Sequence, residues 1–208
     1  MSFYSRLVLP RLIDFAMKCG DIEELRREII PEARGCVLEI GAGSGMNFSF
    51  YGSGVSRLVA VDSSRELVDM ARDKRTSALF QIALIVGSAD RLPIRAKSID
   101  TVVVTFALCS IAQPLVALEE ARRVLKSGGC LLFAEHGLSP DATIRTWQNR
   151  LTPIWRRFAG GCHLNRKMDD LIQSAGFSIS SLSTRYIAGP RVATYTYTGT
   201  AVPEKRAG

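Results

Sequence analysis

The stretch Val37-Leu38-Glu39-Ile40-Gly41-Ala42-Gly43-Ser44-Gly45 reads as an apolar strand running into a glycine-rich turn. Glycines there permit positive φ and let a ligand approach the backbone without meeting a Cβ. The usual visitor at this end of a parallel strand is a nucleotide. Spacing narrows its kind. A dinucleotide fingerprint, G-x-G-x-x-G, needs a third glycine where Met46 stands, and no Lys-Ser/Thr follows to make a phosphate-cradling loop. Glu39, two positions before Gly41, would repel a pyrophosphate and welcome a cationic ligand such as an amine. A bare strand–helix turn is the plainer account of the glycines. Asp62 ends the next apolar run, 21 residues after Gly41. A carboxylate at that strand tip can hold a ribose diol by paired hydrogen bonds, and the plainer role for it is a helix N-cap. The coincidence of Glu39, the glycines and Asp62 at two consecutive strand ends favours a nucleoside site.

Other chemistry-bearing residues are fewer. His136 stands just past a strand, where it could act as a base on a substrate, although a histidine at a strand end is more commonly structural. His163 closes a basic segment further on. The five cysteines (Cys19, Cys36, Cys109, Cys130, Cys162) are odd in number and scattered, with no CxxC pair, so neither a metal site nor a redox pair is expected. Cys109 is expected to pack, and the thiols to be reduced, in a cytoplasmic protein.

These residues need elements to position them. Short apolar runs at 36–40, 57–61, 82–86, 99–104 and 130–134 suit central strands of a parallel sheet. Helical patterns lie between them. Residues 63–74 open with Ser63 or Ser64 as N-cap, a short helix is expected over roughly 45–51, and 114–125 starts with Pro114. The alternation predicts an α/β, doubly wound sheet with right-handed crossovers. Runs at 177–184 and 192–198 are rich in β-branched and aromatic residues with no helix between, which predicts an antiparallel C-terminal strand pair at one edge. One domain over 1–208 is expected, with a helical N-terminal extension at 3–30.

Composition excludes several classes. The 208 residues are 47% hydrophobic and 23% charged, ordinary for a globular chain and unlike a disordered or disulfide-stapled one. No uncharged apolar run approaches the ~20 residues of a membrane-spanning helix. Arg6, Arg11 and Asp14 interrupt the N-terminal apolar stretch, unlike a signal peptide. The net charge of +7 is compatible with an anionic substrate, an acidic membrane surface or nucleic acid, and selects none of them. Residues 142–167 hold six Arg/Lys, no acid and both tryptophans. The plainer account is an amphipathic helix packing Trp147, Leu151, Ile154, Trp155 and Phe158 on the sheet. The sharper one is a substrate lid, spanning 140–167, with an apolar lining and a basic rim suited to a lipophilic or anionic acceptor or to an anionic membrane surface.

Taken together, the motifs resemble those of class I S-adenosylmethionine-dependent methyltransferases of the type-11 group. Residues 37–45 resemble the glycine motif, and Asp62 the ribose-binding acid. Gly87-Ser88-Ala89-Asp90-Arg91-Leu92-Pro93 is similar to the G-D-A-x-x-L-P segment, and Ser98-Ile99-Asp100-Thr101-Val102-Val103 to S-F-D-x-V-V. Arg123-Val124-Leu125-Lys126-Ser127-Gly128-Gly129 is similar to R-x-L-K-P-G-G. Segments at 3–14, 107–111 and 155–166 resemble the branch containing alkyl-thiol methyltransferases, whose animal members carry a membrane anchor not expected here. The resemblance implies a seven-stranded Rossmann-like sheet and S-adenosylmethionine as cofactor. It implies a cofactor site of Glu39 at the methionine amine, Gly41, Ala42, Gly43 and Gly45 as backbone cradle, Asp62 and Ser63 at the ribose, Ser88 and Ala89 at the adenine, and Thr105 and Leu108 as floor. Ser88 departs from the usual Asp, so Asp90 or the Ala89 backbone is the alternative adenine contact. The implied reaction is in-line methyl transfer to a small hydrophobic thiol or amine acceptor (a lipid amine included). The Asn/Asp-Pro-Pro-aromatic motif of base-methylating enzymes is missing after 105, so nucleic acid is not expected as a partner. A non-catalytic cofactor-binding module and a nicotinamide-dependent oxidoreductase are the alternatives.

Overall fold

Five parallel strands form at the predicted apolar runs: β1 (Gly35–Ile40), β2 (Val55–Asp62), β3 (Gln81–Val86), β4 (Ile99–Thr105) and β5 (Leu125–His136). A computed structural model describes residues 8–75 and 80–204. Two more strands, β6 (Phe177–Tyr186) and β7 (Tyr195–Pro203), complete a seven-stranded sheet of order β3-β2-β1-β4-β5-β7-β6. β7 runs antiparallel to both neighbours, so the expected C-terminal pair is present. Its second member begins later than 192–198 suggests, because Thr194 is drawn into the preceding turn, its Oγ1 donating to the Pro190 carbonyl.

Helices cover both faces: α1 (Leu9–Ala16), α2 (Gly20–Ile29), α3 (Arg65–Lys74), α4 (Pro114–Val124), α5 (Ala142–Phe158) and α6 (Met168–Ser174). The sheet divides the apolar interior in two. One side gathers Leu38, Val102, Leu118, Phe133 and Phe177, the other Ile30, Val37, Leu58, Val103 and Leu132. Alternate residues of β1 and β4 therefore point to opposite cores, the pattern of strands buried on both faces. α1 and α2 precede β1, where a helical extension over 3–30 is expected; residues 3–7 of that stretch lie outside the described residues.

Two local expectations are corrected. No α-helix follows the glycine loop: 43–47 are turns, closed by a short 3-10 turn at Phe48–Phe50. Gly43 and Gly45 have φ of +55° and +74°, outside the helical region, so the chain cannot enter a helix there. α5 also does not pack its aromatic face on the sheet. Ile154 is 60% exposed and Phe158 63%, while Gln148 and Thr152 face inward. Gln148 anchors the helix with polar bonds: Oε1 accepts from the Ser139 amide, and Nε2 donates to the carbonyls of Gly137 and Val192.

Candidate active site

Strand order reverses between β1 and β4, and a cavity of about 600 Å³ opens there at the carboxyl ends of the strands. That volume is within the range of small-molecule sites. Its walls include Gly41, Ala42, Gly43, Asp62, Ser63, Ser88, Ala89, Thr105 and His136, gathered from five strand ends. Glu39, Gly45 and Leu108 are placed elsewhere.

The glycines divide by physical role. A Cβ on Gly41 would lie 2.3 Å from the Ala107 Cβ, and one on Gly45 would strike the Phe48 ring at 2.6 Å, so packing alone requires glycine at both. A Cβ on Gly43 would meet nothing within 4 Å. Gly43 is thus the loop position whose open side faces the cavity. Asp62 ties the loop to the next element. Its Oδ2 accepts from the Gly43 amide at 2.8 Å and its Oδ1 from the Ser64 amide at 2.8 Å. Each carboxylate oxygen retains a lone pair, enough for a diol. Ser64, not Asp62, caps α3, its Oγ accepting from the Leu67 amide.

Glu39 lies behind this loop, buried. Its Oε1 accepts from Asn47 Nδ2 at 2.9 Å and its Oε2 from the Tyr51 hydroxyl at 2.8 Å. Asn47 Nδ2 also donates to Thr105 Oγ1, and Asn47 Oδ1 accepts from Arg26 Nε. Burial pushes the Glu39 carboxyl up to about 7, against the hydrogen bonds of Tyr51 and Asn47 and the Arg26 guanidinium. Arg26 and Asn47 reach the cavity wall themselves. Neither was legible as a site residue, since Arg26 belongs to a charged run, Glu23 to Glu28, that reads as a solvated helix face.

α1 roofs the β1–β3 side of the cavity. Leu9, Ile13, Asp14 and Met17 line the cavity, and Asp14 accepts from Ser44 Oγ and pairs with Lys18 at 2.8 Å. Lys74, at the end of α3, lies 3.8 Å from the same carboxylate, so Asp14 bridges the glycine loop and α3.

On the β4–β5 side, Phe106 has φ of +50°, an unusual conformation for a bulky residue. Glu135 holds the turn that follows. It is fully buried, and its Oε1 accepts from the amides of Ala107 (2.7 Å) and Leu108 (2.8 Å), its Oε2 from Cys109. Leu108 is therefore pinned by its backbone while its side chain enters the core. His136 places Nε2 2.9 Å from Cys162 Sγ, and its Nδ1 is buried without a hydrogen bond. Cys109, Trp155, Ala159 and Cys162 complete this end of the cavity. The 140–167 segment thus reaches the cavity only through its last turn and the loop beyond. His163 is not in the cavity wall, and burial lowers its pKa to about 4.

The chain is similar to known proteins in the same terms. Residues 38–133 match the family described as "Methyltransferase domain". Thiol S-methyltransferase TMT1B of Rattus norvegicus is 33% identical over 146 residues, 68% of this chain and 59% of that protein. Its counterpart from Homo sapiens is 30% identical over 169 residues, 76% of this chain and 69% of that protein. The chain thus spans about three fifths to two thirds of the length of these relatives. A solved S-adenosylmethionine-dependent methyltransferase of Thermotoga maritima superposes with a TM-score of 0.65 at 18% identity, covering 96% of this chain and 99% of that one, a likeness of fold. A glycine loop without the dinucleotide spacing, an acid at the tip of β2 and relatives matched across most of the chain agree with one another, and the chain belongs to the class I S-adenosylmethionine-dependent methyltransferases.

Proposed function

We propose that this chain transfers the methyl group of S-adenosylmethionine to a small hydrophobic acceptor, a thiol first and an amine second. The observation that carries the reading is the two-ended cavity: hydrogen-bonding groups at the β1–β3 end, and Cys109, His136, Trp155 and Cys162 at the β4–β5 end. The relatives described above, thiol S-methyltransferases, favour sulfur as the nucleophile.

In this reading Gly41, Ala42 and Gly43 cradle the cofactor, Asp62 and Ser63 take the ribose, and Ser88, Ala89 and Asp90 face the adenine. Arg26, a cation in the cavity wall, suits the methionine carboxylate. Glu39 works from behind, fixing Asn47 and Tyr51 and placing negative charge near the amine. The chemistry is an in-line displacement. The acceptor sulfur attacks the methyl carbon, the sulfonium S–CH3 bond breaks toward its sulfur, and S-adenosylhomocysteine and a methyl thioether result. The enzyme supplies alignment and a water-poor pocket. The thiol proton leaves toward His136, the imidazole that lines that end beside Cys109 and Cys162. His136→Ala at saturating cofactor is expected to lower kcat while leaving cofactor affinity intact; unchanged turnover removes His136 from the mechanism.

Mass-spectrometric product analysis over a panel of alkyl thiols, amines and lipid amines tests the function. Thiol methylation with stoichiometric S-adenosylhomocysteine supports it, and amine products alone move the acceptor class. Cofactor binding with no turnover on any acceptor puts the non-catalytic binding module in its place.

A second reading concerns the surface. Phe15 on α1 is 78% exposed and stands with Leu12, Ile154 and Phe158 as outward apolar side chains on the two helices that border the cavity. With the basic residues of α5, this supports peripheral contact with an anionic membrane from which a lipophilic acceptor would enter. Co-sedimentation with anionic vesicles at low but not high salt is the expected result; no binding at low salt removes this reading. The five cysteines are all free, which supports a reducing, cytoplasmic setting.

A further inference from the structure

Cys109, His136 and Cys162 come from the turn after β4, the end of β5 and the loop after α5, and the fold brings one donor atom of each within 4.8 Å of the others. The spacing rules that read zinc sites from sequence cannot find such a set, because each ligand comes from a different element. A tetrahedral Zn²⁺ with two thiolates at about 2.3 Å and one imidazole at about 2.0–2.1 Å sets its donors about 3.5–3.8 Å apart. The 2.9 Å His136–Cys162 contact and the 4.8 Å outer limit lie roughly an ångström either side of that spacing, within the reach of side-chain torsions.

The surroundings hold these donors in place. The His163 amide donates to the Cys109 carbonyl at 2.8 Å, stitching the two cysteine loops together. Glu135 fixes the Cys109 turn, and His136 is paired with Thr196 in the β5–β7 ladder. Trp155 Nε1 donates toward Cys162 Sγ at 3.4 Å, and Arg166, bonded to the carbonyls of Leu108 and Ile111, brings positive charge to a place where two thiolates would need it. All three side chains line the cavity. Three protein ligands with an open side toward a substrate pocket is the arrangement of catalytic rather than structural zinc sites, and two sulfurs with one imidazole select thiophilic cations over Mg²⁺ or Ca²⁺.

We propose that Cys109, His136 and Cys162 form a site for a thiophilic cation of the Zn²⁺ class, whose fourth coordination position opens into the acceptor end of the cavity. Two S–metal bonds form as two thiol protons pass to solvent, and His136 binds as neutral imidazole through Nε2. That the fourth ligand is the acceptor's own sulfur rests on the thiol reading above. The acceptor thiol would release its proton to solvent as its sulfur binds, and the metal-held thiolate would attack the methyl carbon. The sulfonium bond breaks, and the resulting thioether, a poorer ligand, departs. In that state His136 is a ligand, and a base role belongs to the metal-free protein alone.

Titration of the reduced full-length chain with Co²⁺, free of oxygen, tests the site. A single equivalent is expected to give thiolate-to-cobalt charge-transfer absorption and tetrahedral d–d bands, both bleached by Zn²⁺. Cys109→Ser and Cys162→Ser should each abolish the charge-transfer signal, while Cys19→Ser, at an exposed position, keeps it. Trp155→Phe removes the N–H on Cys162 Sγ and should weaken Zn²⁺ binding by about 10–100-fold. A wild-type chain that gives no charge-transfer band overturns the proposal whatever the variants do, and so does a band that survives both serine substitutions. Calorimetry with S-adenosylmethionine on the same samples separates the two readings. Cofactor binding and thiol methylation without cobalt uptake remove the metal site alone; cobalt uptake without thiol methylation supports the site and removes the acceptor reading. A small alkyl thiol added to the cobalt protein should shift the bands, and an unshifted spectrum excludes sulfur from the fourth position.

Discussion

At the scale of single residues, the β1–β3 half of the cavity, where the proposed function puts the cofactor, depends on carboxylates in unequal surroundings. Glu39 is held by Asn47 and Tyr51 and faces Arg26 from α2 and Asp62 from β2, and burial raises its carboxyl from an ordinary 4.5 to about 7. Between those values the folded chain binds more protons than the unfolded one, so stability falls as pH rises through the window. The loss is up to roughly 3 kcal/mol for a shift of this size. Glu39→Gln should flatten that part of the profile in denaturant unfolding from pH 4.5 to 7; an unchanged slope assigns the titration to another group. Asp62 acts differently, since it serves both the Gly43 amide and, in the proposed function, the ribose. Asp62→Asn removes charge-assisted bonds worth about 1.5–3 kcal/mol each, so calorimetry should show S-adenosylmethionine affinity falling by at least about 10-fold. Asp62, Gly41 and Gly43 were legible because a strand end and its turn are local in sequence. Arg26, Asn47 and Glu135 were not, because their partners are 21, 8 and 28 positions away and no local pattern marks the pairing.

Among elements, α1 and α5 decide access. α1 is tied across the β1–β3 side of the cavity by Asp14, which reaches Ser44 of the glycine loop and Lys74 of α3. Asp14→Ala should speed cofactor release in stopped-flow measurements with little change in unfolding free energy, since the charge pairs it breaks join partly exposed partners. An unaltered release rate would show that α1 is no roof. α5 inverts the expected amphipathicity: helical periodicity correctly places Trp147, Ile154, Trp155 and Phe158 on one face, but periodicity cannot say which face meets the sheet. Gln148 decides it, because the carbonyls of Gly137 and Val192 and the Ser139 amide would otherwise be left unpaired. Ile154→Ser should change stability by no more than about 0.5 kcal/mol, as expected for an exposed position, while weakening binding to anionic vesicles. Gln148→Ala, by contrast, orphans three buried groups and should destabilise the chain by about 1–3 kcal/mol or more.

For the whole molecule, the sheet order places five strand ends around one cavity, and no unit smaller than the domain contains the site. Cofactor binding is therefore linked to global stability. At a hundredfold excess over Kd the linkage is worth about 2.7 kcal/mol, or about 5–10 °C in Tm for a chain of this size. Thermal unfolding with S-adenosylmethionine should show that rise and NAD should not; a rise with NAD alone would reverse the cofactor assignment. Among the described residues no helix is long and apolar enough to cross a membrane; the membrane contact proposed above rests on the outward side chains of α1 and α5.

The amino-acid sequence by itself determined the strand–helix alternation, the doubly wound sheet with its antiparallel C-terminal pair, the glycine loop and the acid at the tip of β2. Each of these follows from short-range hydrophobic periodicity and turn chemistry, which act between neighbours in the chain. Tertiary structure alone decided that Glu39 stands behind the loop and that α5 turns its aromatic face outward. It alone brought Cys109, His136 and Cys162 together. These outcomes depend on which buried polar groups find partners and on which strand ends the crossovers bring side by side. Both are settled only when the sheet closes.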